Sequence, residues 1–320
     1  MIPSRSPVLA ILLFLMGSCA STPDQQPVAS RPTEPLFRFG LLADVQYADK
    51  PDAGARRYRL ALEHLDECVA DFSGSGLAFV AQLGDVIDGQ SEPSASRIDL
   101  ERVLTRLESI GVPLVHVVGN HCLNVPRVEL LPRLGLESGR QSFARDGWRF
   151  LVLDTLEVSV CGIPVAHPRY IEAESWLEER KGLGQLNVQR WNGGVGAYQR
   201  KWLKAELAKA EAAGERIVVL GHLPILLEAS GPYYLLWDHA AVLALLEATP
   251  GVVAYLAGHD HSGGYAQQAG IHHLTLPGML EAPEGTNAYA IVEVWPARLE
   301  VRGVGTVADR TLAGESRTPE

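Results

Sequence analysis

The stretch Phe37-Arg38-Phe39-Gly40-Leu41-Leu42-Ala43-Asp44-Val45-Gln46-Tyr47 sets an apolar run directly before an Asp-x-Gln pair. Comparable joins recur along the chain. Leu77–Gln82 leads to Gly84-Asp85-Val86-Ile87-Asp88, Pro113–Val118 to Gly119-Asn120-His121, Ile217–Leu220 to Gly221-His222, and Val252–Ala257 to Gly258-His259-Asp260-His261. Each run reads as a buried strand. Side chains at the carboxyl ends of successive strands converge on one edge of a sheet. Asp, Gln, Asn and His are the residue types that hold a pair of divalent cations for phosphoester hydrolysis.

Each join alone has a bland explanation. An Asp after a strand commonly caps a helix, and Asn after Gly commonly makes a turn. A lone His is more often a satisfied structural residue than a ligand. It is the conjunction, with two Asp, an Asn and several imidazoles at strand ends, that points to a metal centre. Asp88 reads as a structural carboxylate that hydrogen-bonds its own loop.

Between the runs lie helical stripes at Arg56–Asp71, Ile98–Ile110, Ala197–Ala213 and Asp238–Ala248. Further strands fall at Trp148–Leu153, Ile271–Leu276, Ala288–Val294 and Leu299–Val304. The alternation, followed by late strands, indicates an α/β protein with mixed sheets. Asn124 to Gly196 has the least periodicity and reads as long loops, a candidate cap over the site.

The 320-residue chain carries a formal net charge of −10, which argues against a broad basic surface for nucleic acid. An acidic protein can still take an anionic substrate where cations supply local positive charge. The N-terminus has a separate character. Arg5, the apolar run Val8–Met16 and Gly17-Ser18-Cys19-Ala20 read as a signal peptide over residues 1–18. The small residues before Cys19 resemble a bacterial lipoprotein cleavage box. That resemblance implies a lipid on Cys19, and Ala20 after it implies the outer membrane, facing the periplasm. Residues 19–35 read as a flexible, proline-rich tether, 36–312 as the folded domain and 313–320 as a tail. Cys68, Cys122 and Cys161 form no disulfide framework.

The order of the motifs resembles the calcineurin-like metallophosphoesterase superfamily, with its D-x-H, G-D-x-x-D, G-N-H-E/D, later H, and G-H-x-H. The resemblance implies a four-layer α/β/β/α sandwich of two mixed sheets flanked by helices. It implies one cation on Asp44, Gln46, Asp85 and His261, and a second on Asp85, Asn120, His222 and His259. His121 becomes the general acid or transition-state stabiliser. This chain departs from the pattern twice: Gln46 stands where His is usual, and Cys122 where an acidic residue follows Asn-His.

The first departure is similar to the manganese-dependent ADP-ribose/CDP-alcohol diphosphatases and their A-D-x-Q-Y signature, matched here by Ala43-Asp44-Val45-Gln46-Tyr47. Similar segments include Arg56-Arg57-Tyr58, Asn192-Gly193-Gly194, His222-Leu223-Pro224-Ile225 and Asp309-Arg310. The resemblance spans roughly Phe37 to Leu312. It implies two Mn²⁺ and cleavage of the pyrophosphate of a nucleoside diphosphate derivative, by a hydroxide that both cations share. Arg57, Tyr58, Asn192 and Gly193 are the candidate substrate contacts, with Arg56 beside them. A phosphodiesterase of cyclic nucleotides or other diesters, and a catalytically idle substrate-binding lipoprotein, are the alternatives. Oligomeric state is not legible.

Overall fold

The computed structural model describes residue 1 and residues 33–314. The signal segment, Cys19, nearly all of the tether and most of the tail lie outside the described residues.

Strands β1 (Phe37–Leu42), β2 (Phe79–Gln82) and β3 (Leu114–His116) run parallel, side by side. Strands β4 (Gln141–Arg145) and β5 (Trp148–Val152) form a hairpin that opens a second sheet. Two short strands, β6 (Val158–Ser159) and β7 (Gly193–Gly194), pair separately. Strands β8 (Arg216–Leu220) and β9 (Val252–Ala257) then extend the second sheet parallel to β5. Strands β10 (Gly264–Gln268) and β11 (Ile271–Thr275) complete it in the order β10-β11-β9-β8-β5-β4. Finally β12 (Ala288–Val294), β13 (Arg298–Gly305) and β14 (Arg310–Ala313) return to the first sheet, giving β14-β13-β12-β1-β2-β3. Each sheet mixes parallel and antiparallel neighbours, the architecture the motif order implies.

The alternation of β1 explains the layering. Phe39 and Leu41 point into an inter-sheet core with Phe79, Phe150, Val218 and Leu256, while Leu42 faces the other way. Phe39 stacks on Phe79 at 4.9 Å, and Phe79 meets Phe150 edge-on at 5.2 Å. Such aromatic pairs add about 0.5–1.5 kcal/mol beyond the area they bury. On the outer face, helix α1 (Leu60–Gly74) presses Phe72 against Gly40. A Cβ at Gly40 would lie 2.6 Å from that ring, so only glycine admits the helix this close. Helix α2 (Pro93–Glu108) packs beside α1.

Two expected helix starts shift, each for a local reason. α1 begins at Leu60 because Arg56 bridges back to Ala53 and the chain turns before the helix. α2 begins at Pro93, earlier than the apolar stripe, because its first turns bury the polar Ser96 and Asp99. The larger correction concerns Asn124–Gly196. This is not a long loop: it holds α3 (Arg127–Arg133), β4, β5, and the 15-residue α4 (Pro168–Gly182). α4 buries only Ala173 and Leu177, too narrow a stripe to register as a period. Helix α5 (Ala197–Ala212) packs on β5 and β8, and α6 (His239–Glu247) buries Val242 and Leu246. Among the described residues no helix is long and apolar enough to cross a membrane.

Candidate metal centre and substrate cleft

The loops that leave β1, β2, β3, β8 and β9 meet at one edge of the sandwich. They do so in unusual backbone. Six non-glycine residues among those described have positive φ, and four of them are Asp44 (51°), Gln46 (40°), Asp85 (53°) and His259 (71°). Left-handed backbone costs an ordinary residue energy, so it persists where the surroundings impose it. Backbone bonds between loops do so here: Asp44 N donates to the Gly84 carbonyl and Gln46 N to that of Asp85. Gly119 and Gly258 have no room for a side chain. A Cβ would sit 2.1 Å from Asp85 Oδ1 at the first and 2.4 Å from Asp44 Oδ2 at the second.

Asp85 is fully buried at the centre. Donor atoms of Asp85, His222 and His259 all lie within 4.8 Å of one another. His222 Nε2 is 3.3 Å from Asp85 Oδ2 and 3.2 Å from Asn120 Oδ1. On the other side Gln46 Nε2 lies 3.1 Å from Asp85 Oδ2 and 2.9 Å from His261 Nε2. His261 Nε2 is 3.6 Å from Asp44 Oδ1. The structure thus brings Asp44, Gln46, Asp85, Asn120, His222, His259 and His261 together.

Outer partners fix how each ring presents itself. His222 Nδ1 sits 2.8 Å from the Leu83 carbonyl, which can only accept, so in the neutral ring Nε2 carries the lone pair. His261 Nδ1 does the same at 3.0 Å from Glu281 Oε1. His121 Nδ1 lies 2.9 Å from the Asp88 carbonyl and 3.2 Å from its carboxylate. Asp88 therefore does more than hold its loop: it also pairs with Lys50 and with Arg56.

Charge follows from this packing. Burial alone would push His222 down, yet the Asp85 carboxylate carries it up to about 9. Burial likewise opposes a charge on His261, and the nearby carboxylates of Asp44 and Glu281 raise it to about 10. Burial works against ionised Asp85, but the imidazoles of His222 and His121 hold it below the usual carboxylate range. His259 is driven low, first by burial and then by its neighbour His222. Burial, then the charge of Asp85, pushes the thiol of Cys122 up to about 12.

The donor set suits divalent cations. Asp44 Oδ1 and Gln46 Oε1 are buried with no hydrogen-bond partner. Such orphaned acceptors are costly unless something binds them.

Beside the cluster lies a cleft of about 370 Å³, lined by Gln46, Arg56, Asn120, His121, Trp191, Tyr234, His259 and His261. Arg56 is the one Arg or Lys among them. The expected substrate contacts Arg57, Tyr58, Asn192 and Gly193 are not among these lining residues. Arg57 is turned away to Asp52, 3.3 Å off. Tyr58 is a core residue, 5% exposed, under the Lys50 ammonium. Asn192 is fully buried, and its amide is spent on protein partners. Gly193 is a packing glycine, with Thr155 O 2.7 Å from where its Cβ would be. The segment read as a cap does reach the cleft, through Trp191. Trp191, Tyr234 and Glu281 were not singled out from sequence. Trp191 abuts Asn-Gly-Gly and was findable there; Glu281 and Tyr234 have no local motif.

The calcineurin-like phosphoesterase family model matches residues 37–263. A manganese-dependent ADP-ribose/CDP-alcohol diphosphatase of Oryza sativa subsp. japonica is 35% identical over 306 residues, covering 88% of this chain and 95% of the rice protein. The Homo sapiens protein of the same name is 31% identical, covering 88% and 93%. A crystal structure of a dimetal phosphatase from Danio rerio superposes with a TM-score of 0.82 at 32% identity, covering 88% of this chain and all of that one. Fold, strand-end loops and relatives agree, and this chain belongs to the calcineurin-like phosphoesterase family.

Proposed function

We propose that this protein is a metal-dependent phosphohydrolase that cleaves the pyrophosphate of nucleoside diphosphate derivatives such as ADP-ribose or CDP-alcohols. The observation that carries the reading is the convergence of bare acceptors on a shared carboxylate. His222 Nε2 and the Gln46 amide lie against Asp85, the same amide meets His261 Nε2, and His261 Nε2 in turn faces the unpartnered Asp44 Oδ1. Beside them stand one guanidinium and two aromatic rings. Names of relatives that are 30–35% identical over most of the chain support both the substrate class and manganese.

Asp44, Gln46, Asp85 and His261 would hold one Mn²⁺, and Asp85, Asn120, His222 and His259 the other. When bound, the cations supply Lewis-acid stabilisation of phosphoryl oxygens and lower the pKa of a nucleophilic water. The protein does the rest. Asp88 fixes the His121 ring with Nδ1 occupied, leaving Nε2 to hold or deliver a proton at the leaving oxygen. Arg56, steadied by Asp88 and Glu281, meets the non-reacting phosphate. Trp191 and Tyr234 are 45% and 37% exposed and offer faces to a nucleobase. A substrate panel with Mn²⁺, with products identified by mass spectrometry, tests this reading. Brisk turnover of cyclic nucleotides alone would replace it with a phosphodiesterase, and zero turnover at full metal occupancy with a binding lipoprotein.

We further infer export and a lipid on Cys19, from the Val8–Met16 run and the Gly17-Ser18-Cys19 box. One acyl chain anchors weakly, whereas several on one residue hold firmly. Mass spectrometry of the protein from its native membrane should find a modified Cys19 at the mature N-terminus. An unmodified Cys19 contradicts it.

A further inference from the structure

Asn192 is fully buried, and both ends of its side-chain amide have protein partners. Its Nδ2 lies 2.9 Å from the Asn187 carbonyl, 2.7 Å from that of Tyr233 and 3.2 Å from that of Leu235. Three carbonyls around one atom demand an NH₂ there, so the amide cannot be reversed. Its Oδ1 is then the acceptor 2.8 Å from His259 Nε2. A proton on Nε2 leaves Nδ1 as the only His259 nitrogen with a lone pair for a cation. This is opposite to His222 and His261, whose Nδ1 atoms are the occupied ones.

The same amide reaches the substrate side. Tyr233 and Leu235 flank Tyr234, whose ring meets the His259 ring edge-on at 5.7 Å and lines the cleft. Trp191, the other aromatic of the cleft, is the residue preceding Asn192.

We propose that Asn192 is a positioning residue that sets the His259 tautomer for the second cation and ties that ligand to both aromatic walls of the cleft. Its acceptor end serves the metal half-site; its donor end serves the wall that carries Tyr234. The two ends can be separated by substitution. Asn192→Ala removes both. Asn192→Asp keeps an acceptor for His259 Nε2 and turns the donor end against three carbonyls. The proposal rests on the two-cation reading above, but its metal readouts need no substrate.

The test uses the full-length chain. In the Zn²⁺-loaded, diamagnetic protein, ¹H–¹⁵N spectra of the imidazoles should show His259 protonated on Nε2, assigned by its loss in His259→Gln. Mn²⁺ titration by calorimetry should find two sites in the wild type. In Asn192→Ala one of them should weaken by about 10–100-fold, the usual effect of losing such an outer partner. Asn192→Asp should restore that site while KM for ADP-ribose stays raised. Two unchanged Mn²⁺ affinities in Asn192→Ala, or a His259 proton on Nδ1 in the wild type, would overturn the proposal. Should Asn192→Ala fail to fold, the wild-type tautomer and Asn192→Asp still decide. Should no nucleoside diphosphate derivative be hydrolysed, the proposed function falls while the metal and tautomer results stand.

Discussion

His261 Nδ1 lies 3.0 Å from Oε1 of Glu281, a residue from the turn that follows β11. That bond leaves His261 Nε2 facing Asp44 and Gln46. Glu281 also stands 3.6 Å from Arg56, so one carboxylate steadies a metal-facing ring and the guanidinium of the cleft. Glu281→Ala is expected to weaken Mn²⁺ binding about 10–100-fold. Glu281→Gln, which keeps an acceptor, should lose less. Calorimetric titration of both variants checks this.

His121 occupies the cleft without joining the buried donor cluster. His121→Ala should lower kcat by about 10²–10⁴-fold with metal content nearly intact. A leaving group that needs no proton should recover part of the loss. Metal falling in step with activity would make His121 a ligand instead.

Cleft geometry separates Arg56 from Arg57. Arg56 lines the cleft, whereas Arg57 is 50% exposed and pairs with Asp52. Arg56→Ala should raise KM for ADP-ribose well above its effect on a small aryl diester, and Arg57→Ala should leave both near wild type. Trp191→Ala should weaken nucleotide binding by about 1–3 kcal/mol, the range for one stacked base. Steady-state kinetics on the two substrate types reads both.

Two buried histidines away from the site predict an acid limit. Burial, then the Arg133 charge, lowers His116 to about 4. Burial, then His272, lowers His273 to about 4. Below the ordinary histidine value of 6.5 the unfolded chain binds protons that the folded one refuses. Their stabilising contribution is therefore whole above pH 6.5 and drains as pH falls towards 4. For His116 the loss is up to about 3 kcal/mol. Urea denaturation between these limits should show stability rising with pH, and His116→Gln should flatten the slope.

The fold was legible because strand ends and chemistry coincide. β1, β9 and β12 match their apolar runs, and the joining loops carry the residues that meet at Asp85. The cleft was less legible for a physical reason. Arg56 and Arg57 are neighbours of one type, and tertiary partners separate them: Arg56 faces Asp88 and Glu281, Arg57 faces Asp52. Asn192 carries no mark in sequence that separates a substrate contact from a histidine support. Its amide partners are the Asn187 carbonyl nearby in the chain and two carbonyls of the remote Tyr233–Leu235 stretch. Tyr58 has the right chemistry for stacking and was simply folded into the core.

The central claim is tested most directly by titrating Mn²⁺ into the purified enzyme while following AMP release from ADP-ribose by chromatography. Activity should climb until two equivalents are bound, with AMP and a phosphorylated sugar formed in equal amounts. Asp85→Ala should bind little metal and release no AMP. An enzyme that binds no divalent cation, keeps full activity in chelator, or binds two Mn²⁺ and never yields a nucleoside monophosphate from any nucleoside diphosphate derivative would contradict the account.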